Sequence, residues 1–287
     1  ETIYAFGTTC GIDKMDAVIA ASQICDEYGI DTMSAGITIG FAMECFEKGL
    51  ISIEDTGGVE LRFGDDKAMI AMLRKIAGQE GFGKELARGT RRLSEEIKGS
   101  EAFAMQVKGL ELGGYECRGL NGQALQFAID ARGGCHHGYG LPGRQEIFDG
   151  TRLEVKGKGE YVKKGAIHEM VCDSLIVCSF ARRVYDMGIL ADSLAALYGE
   201  PWSVDDLREA GVRIMTQERL FNMREGLTRE HDTLPERLLK EPKPDGPTAG
   251  AVAPLEELKD DFYRSMGYDL ATGNPPDSLL SRLGIEK

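Results

Sequence analysis

Apolar residues recur at helical spacing along most of this chain, and period-two runs of strand-forming residues are scarce. That pattern restricts the fold to a mainly α, multihelical class, because a 3.6-residue stripe lines one face of a helix and neither face of a strand. A first helix is predicted from Asp13 up to Gly29, capped at Asp13 with Asp16 three residues on. Met15, Val18, Ile19 and Ser22 would line its buried face, and Gly29 would end it. A second helix is expected from Asp31 to Lys48, with Ile37, Phe41, Met43 and Phe46 apolar. Its small residues Ser34, Ala35, Gly36 and Gly40 would let another backbone or a ligand come close. Further helices are expected at 66–77, 83–97, 120–131, 167–187, 191–198, 204–223, 255–266 and 277–283, and Ser203 with Asp206 is a capping signal. The stretch 151–165 reads as a surface loop or small hairpin, and 241–254 as an exposed connector. A Gly-rich turn at Gly113-Gly114 suggests two helical subdomains, 1–112 and 113–287.

Charge and cysteine usage narrow the functional classes. A net charge of -13 argues against nucleic acid and anionic membrane surfaces as partners, since both call for clustered Lys and Arg. No apolar run reaches the roughly 20 residues a bilayer requires. Seven cysteines are spread over 287 residues without a C-x-x-C, which fits reduced thiols in the cytoplasm. The chain opens at Glu1 with no initiator Met and no signal peptide, and reads as a processed chain or an excised piece.

Three places carry candidate chemistry. The first is Asp26-Glu27-Tyr28-Gly29-Ile30-Asp31, and the second is its echo, Asp173-Ser174-Leu175-Ile176-Val177-Cys178. In each, an Asp is followed by four residues and then by a ligand-type side chain. Asp31 is a good N-cap, and Asp26 could instead accept hydrogen bonds from a bound heterocycle. Asp173 and Cys178 read as part of an apolar helix, where a carboxylate is costly unless paired and a cysteine is most often a small hydrophobe. The third place is Arg132-Gly133-Gly134-Cys135-His136-His137. Beside such a turn His136 is either a solvated loop residue or an acid, base or donor near neutral pH. Tyr115, after Gly113-Gly114, is either a loop aromatic or a phenol aimed at the same site as His136.

In this order these stretches resemble the tungsten-containing aldehyde:ferredoxin oxidoreductase family. The resemblance runs over essentially the whole chain. Glu1-Thr2-Ile3-Tyr4-Ala5-Phe6-Gly7 with Cys10-Gly11-Ile12 is similar to the segment after that family's first three cluster cysteines. Residues 25–36 are similar to its first pterin motif, Asp-x-x-Gly-Leu-(Cys/Asp). Val107-Lys108-Gly109-Leu110-Glu111-Leu112 with Tyr115 resembles its Lys-Gly-x-Glu-Leu-Pro-x-Tyr-Asp-Pro-Arg stretch, and 132–136 its Arg-Gly-x-x-His segment. Asn222, Arg224-Glu225-Gly226, Asp232 and Pro235-Glu236-Arg237 resemble its C-terminal signature.

The resemblance implies the C-terminal helical part of an enzyme that oxidises aldehydes to carboxylic acids. It implies tungsten (or molybdenum) between two pterin dithiolenes, beside a [4Fe-4S] cluster. Asp26, Gly29, Asp31 and Asp173 would hold the pterins, and Cys178 would be the fourth cluster ligand. His136, Glu1 and Tyr115 would be the catalytic set: proton relay, base toward a metal-activated water, and donor to the substrate oxygen. Ferredoxin, the N-terminal domain of the same protein and a homodimer would be the partners. Both cofactors are expected to be absent from the isolated chain, since one thiolate is offered where a cluster needs four. The sequence departs from the family at Ile176-Val177, where the family has Gly-Leu, and at Glu116-Cys117, where it has Asp-Pro. Two alternatives stand beside this reading: a related tungsten-dependent aromatic acyl-CoA reductase, and a cofactor-free helical assembly module whose Asp26, Asp173 and Cys178 would be scattered or fully satisfied.

Overall fold

A computed structural model describes residues 1–181 and 184–286. It is multihelical, with one two-stranded ribbon among the described residues. The chain forms two compact units. The first comprises 1–116, 133–135 and 234–242, and the second 117–132, 136–233 and 243–287. Among the described residues no helix is long and apolar enough to cross a membrane.

The first unit holds α1 (Met15–Tyr28), α2 (Thr32–Glu47), α3 (Asp66–Gly78), α4 (Phe82–Leu86) and α5 (Thr90–Glu96). A π-helical segment, Ile3–Thr8, precedes them. The ribbon pairs β1 (Gln106–Val107) with β2 (Leu110–Glu111), antiparallel. Helix α2 is buried nearly all round from Ala35 to Met43. Its small residues seat another backbone: a Cβ on Gly36 would stand 2.6 Å from the Ala5 carbonyl carbon, and one on Gly40 2.6 Å from the Thr9 side chain. On the other side of α2 Glu111 is buried and accepts from the Thr90 amide at 2.8 Å, while Thr38 of α2 bonds to Thr90 at 2.9 Å. One carboxylate thereby ties α2, α5 and β2 together.

The second unit is built around α8 (Lys158–Ser174), which packs against α6 (Asn121–Ile129), α7 (Pro142–Asp149), α10 (Val204–Arg224) and α12 (Leu255–Met266). Helices α9 (Met187–Tyr198) and α13 (Asp277–Leu283) complete it, and α11 (Glu236–Lys240) belongs to the first unit. Every residue of α6 is buried. A second buried carboxylate organises this unit. Asp232 accepts from Arg219 Nη1 at 2.7 Å and from the Tyr263 hydroxyl at 2.5 Å, and Arg219 Nε also donates to the Gly273 carbonyl.

Several expected elements change. The cap of α1 is Lys14, not Asp13, and the buried face is Ala17, Val18, Ala21, Ile24 and Cys25, with Met15 and Ile19 exposed. The helix expected at 83–97 is two, divided by Gly89 at φ 84°. The expected loop at 151–165 is helical from Lys158, because the Asp261 carboxylate accepts from the Gly159 amide at 2.7 Å and supplies a cap from α12. The helix expected at 167–187 therefore lies further upstream and stops at Ser174.

Removing one partner of a buried, hydrogen-bonded ion pair leaves an uncompensated charge. Asp232→Ala is expected to lower the unfolding free energy by about 3–5 kcal/mol, read from the denaturant midpoint; a loss under about 1 kcal/mol would show that Asp232 does not organise this unit.

Candidate functional site

In the first unit α1 ends in a left-handed turn. Gly29 has φ 67° and ψ 39°, its N–H bonds to the Cys25 carbonyl, and the Ile30 N–H bonds to the same carbonyl at 2.8 Å. This is the Schellman-type end that a C′ residue without a Cβ favours. Ile30 folds back onto the core of the unit, and Asp31 starts α2, its carboxylate accepting from the Ser34 amide at 2.7 Å. Asp26 stands exposed on the last turn of α1, and no hydrogen bond or ion pair among the described residues holds its carboxylate. Burial, followed by the negative charges of Asp31 and Asp26, pushes the Cys25 thiol up to about 11.

The second unit repeats this turn at the end of α8. Ile176 takes the left-handed position at φ 57°, and the Val177 N–H bonds to the Cys172 carbonyl at 2.9 Å. Val177 packs onto the core beneath, as Ile30 does in its own unit. Asp173 and Cys178 are exposed. Both therefore differ from the apolar-helix environment expected from the sequence: α8 stops before Cys178 and turns Asp173 to solvent. The Asp173 carboxylate, like that of Asp26, has no hydrogen-bond or salt partner among the described residues. Ile176 is 94% exposed, so the β-branched side chain that occupies a glycine conformation gains no packing in return.

The remaining expected residues divide between the units. Glu1 and Tyr115 meet in the first, the Tyr115 hydroxyl donating to Glu1 Oε1 at 3.3 Å. Thr2 bonds to Thr32 at 2.8 Å, which fixes Glu1 beside the start of α2 and Asp31. His136 is buried in the second unit, with its ring 4.3 Å from that of His137, which meets Phe180 edge-on. The glycines before it serve the first unit: the Gly134 amide donates to the Val107 carbonyl at 3.1 Å, and a Cβ on Gly133 would meet the same oxygen.

Other residues hold the histidine loop, and the sequence reading missed them. Asp130 is fully buried; it accepts from the Arg132 amide and from Gln126 Nε2, both at 2.9 Å, and a Cβ on Gly138 would lie 2.1 Å from it. Tyr139 donates to Glu218 Oε2 at 3.3 Å. A buried acid at the end of an apolar helix was the available signal for Asp130; nothing local pointed to Glu218.

Two uncommitted carboxylates, each beside an exposed turn backbone, can accept from N–H groups. Among the described residues no group of three or more His, Cys, Asp or Glu gathers to hold a metal ion. Cys178 is an exposed free thiol, able to supply one ligand of a shared cluster.

The profile of a family described as aldehyde ferredoxin oxidoreductase, domains 2 and 3, matches residues 1–285. A tungsten-containing aldehyde ferredoxin oxidoreductase of Pyrococcus horikoshii is 38% identical over 299 residues, covering 100% of this chain and 48% of the relative. Its counterpart in Pyrococcus furiosus is 36% identical, covering 99% and 48%. A protein of Pyrococcus furiosus named as an aliphatic sulfonate oxidoreductase, WOR-like subunit, is 30% identical, covering 97% and 44%. The chain thus spans about half the length of the curated relatives it matches. Among solved structures, the active-site complex BamBC of benzoyl coenzyme A reductase with 1,5-dienoyl-CoA shares the fold, with a TM-score of 0.78 at 22% identity over 99% of this chain and 48% of that one.

Replacing Ile176 by Gly removes the left-handed strain, about 1–2 kcal/mol, against a smaller loss of backbone entropy. The variant is expected to be more stable by about 1 kcal/mol, and a destabilised variant would mean that Ile176 makes contacts in solution. Thiol labelling tests the exposure pattern. Cys178 is expected to react first at pH 8, while Cys10 and Cys45, pushed up by burial to about 12, stay protonated and unlabelled until unfolding. Equal labelling of Cys25 and Cys178, read by peptide mass, would show that the α1 turn opens.

Proposed function

This chain belongs to the aldehyde ferredoxin oxidoreductase family across its domains 2 and 3, and from that membership we propose that it forms the helical half of a cytoplasmic tungsten-pterin enzyme that oxidises aldehydes to carboxylic acids with ferredoxin as electron acceptor. The observation that carries the proposal is the repeated turn: Asp26 and Asp173, both exposed and uncommitted, each stand three residues before a left-handed residue. A cofactor-free helical module would have these residues scattered or fully satisfied; the lack of a partner for either carboxylate among the described residues is what favours the pterin reading.

In this reading tungsten, or molybdenum, held by two pterins supplies the two-electron redox chemistry, with a [4Fe-4S] cluster nearby. Asp26 and Asp173 would accept hydrogen bonds from the N–H edges of the pterins. The Ile30 and Val177 turns would present backbone to them, and Asp31 would brace the first turn from the start of α2. Cys178 would give one thiolate to the cluster, with three more from outside this chain. The net reaction takes one aldehyde and one water to one carboxylic acid, two electrons and two protons. The chain's part is to hold substrate and move those protons. Glu1, bonded by the Tyr115 hydroxyl, would serve as base, and Tyr115 would turn to the substrate oxygen. His136, buried beside His137, would polarise the carbonyl or relay a proton. Ferredoxin, the N-terminal domain and a second copy are the partners the proposal includes.

His136→Asn in the full-length protein is expected to lower aldehyde turnover by about 100-fold or more, with tungsten content unchanged. Unaltered turnover would remove His136 from the reaction.

A further inference from the structure

The second unit contains a carboxyl that the reaction as described leaves unused. Helix α10 presents Glu218 to an open cavity of about 570 Å3, lined also by Arg132, Phe221, Asn222 and Arg224. Behind Glu218 lies Tyr139, buried, whose hydroxyl donates to Oε2 at 3.3 Å. Tyr139 follows His136 by three residues, in the loop that Asp130 holds. One turn along α10, Asn222 Nδ2 donates to the Ala131 carbonyl at 2.8 Å and pins the near end of that loop to the same helix. A single half-buried carboxyl thus touches the histidine loop on one side and the cavity on the other.

The groups facing it set its proton affinity. Burial raises the Glu218 carboxyl above the ordinary carboxylate range and Asp173 of α8 raises it further, while the Tyr139 hydroxyl and Arg132 oppose the rise. Tyr268 lies near it, and Arg224 and Glu286 stand on the cavity rim. Such a group exchanges protons with water closer to neutral pH than a surface Glu does.

We propose that Glu218 is a proton-transfer residue, the outlet through which protons leave the His136 loop for solvent. The proposal rests on the aldehyde-oxidation reading. In that reading each aldehyde oxidised would give up two electrons, which a metal-pterin centre and a ferredoxin-type acceptor would take, and would leave two protons to be exported. The Tyr139 hydroxyl passes its proton to a Glu218 carboxylate oxygen as the phenol oxygen takes one from a protonated donor on the loop side, the His136 imidazolium, directly or through water, and the imidazole is left neutral. Glu218 then gives up that proton to water in the cavity; the first transfer breaks an N–H bond of the imidazolium and forms an O–H bond, and each later one breaks one O–H bond and forms another. Glu218 touches neither substrate nor reacting atoms and works through the loop.

The test uses the intact, cofactor-loaded protein. Glu218→Gln keeps the shape and the hydrogen-bond acceptor but cannot titrate. The expected result is a turnover about tenfold lower, with KM unchanged and one limb of the turnover–pH profile lost; Glu218→Asp restores that limb at a shifted pH. Infrared difference spectra across the same pH range should show a protonated-carboxyl band that Glu218→Gln lacks. An unmoved pH profile in an active Glu218→Gln variant overturns the outlet alone. A uniform loss at every pH that Glu218→Asp does not rescue also overturns it, in favour of a structural role. A wild-type protein that oxidises no aldehyde overturns the parent reading, and the outlet with it.

Discussion

The left-handed residue that ends α1, and again α8, is the constraint on which the candidate site depends. A helix carries its side chains outward along a fixed spiral, and a residue with reversed φ stops it within one position while turning the chain back over the last turn. At both ends the break does three things at once. It closes the last carbonyls through the amides of Ile30 and Val177, and it folds an apolar residue back onto the core. It also leaves an Asp on the final turn with its carboxylate in solvent. The backbone path is shared although the sequences are not, since Gly29 and Ile176 occupy the same conformation. What is repeated between the units is therefore a conformation, which glycine favours but does not define.

In each unit a buried acid draws several elements together. Glu111 gathers α2, α5 and the ribbon, and Asp232 gathers α10, α12 and the turn near Gly273. Buried charges of this kind are weak stabilisers compared with apolar packing, but they demand particular partners and so select one arrangement of helices. Asp232 and Arg237 both lie in the C-terminal stretch that resembles the family signature. Their contacts, with Arg219 and with Glu44 respectively, are structural ones.

Much of this was legible in the chain. The limits of α12 and α13 follow from apolar spacing bounded by proline and glycine, and the Ser203–Asp206 capping box is present as read. The Gly29 turn and the Asp31 cap were equally local signals. The start of α8 was not, because Lys156-Gly157-Lys158-Gly159 looks like a turn, and the group that caps it is Asp261, about a hundred residues later. The solvent position of Cys178 was hidden for a related reason: Ile176 is a poor predictor of a left-handed break, so the apolar run 175–177 read as continuing helix. Glu218 could not be found from sequence at all, since its meaning comes from Tyr139 and the cavity, both distant in the chain.

Helix α6 has no face toward solvent. Its peptide hydrogens can reach water only when the second unit opens around it, which places α6 among the slowest-exchanging parts of that unit. Asp130 is the residue that follows it, and it holds the Arg132 amide and faces Gly138. The loop bearing His136 is thus moored to a slowly opening strut at both Arg132 and Gly138, and its buried Tyr139 meets Glu218. Displacing that loop therefore calls for opening of the unit itself, since the same buried carboxylate meets it on both sides of the imidazole.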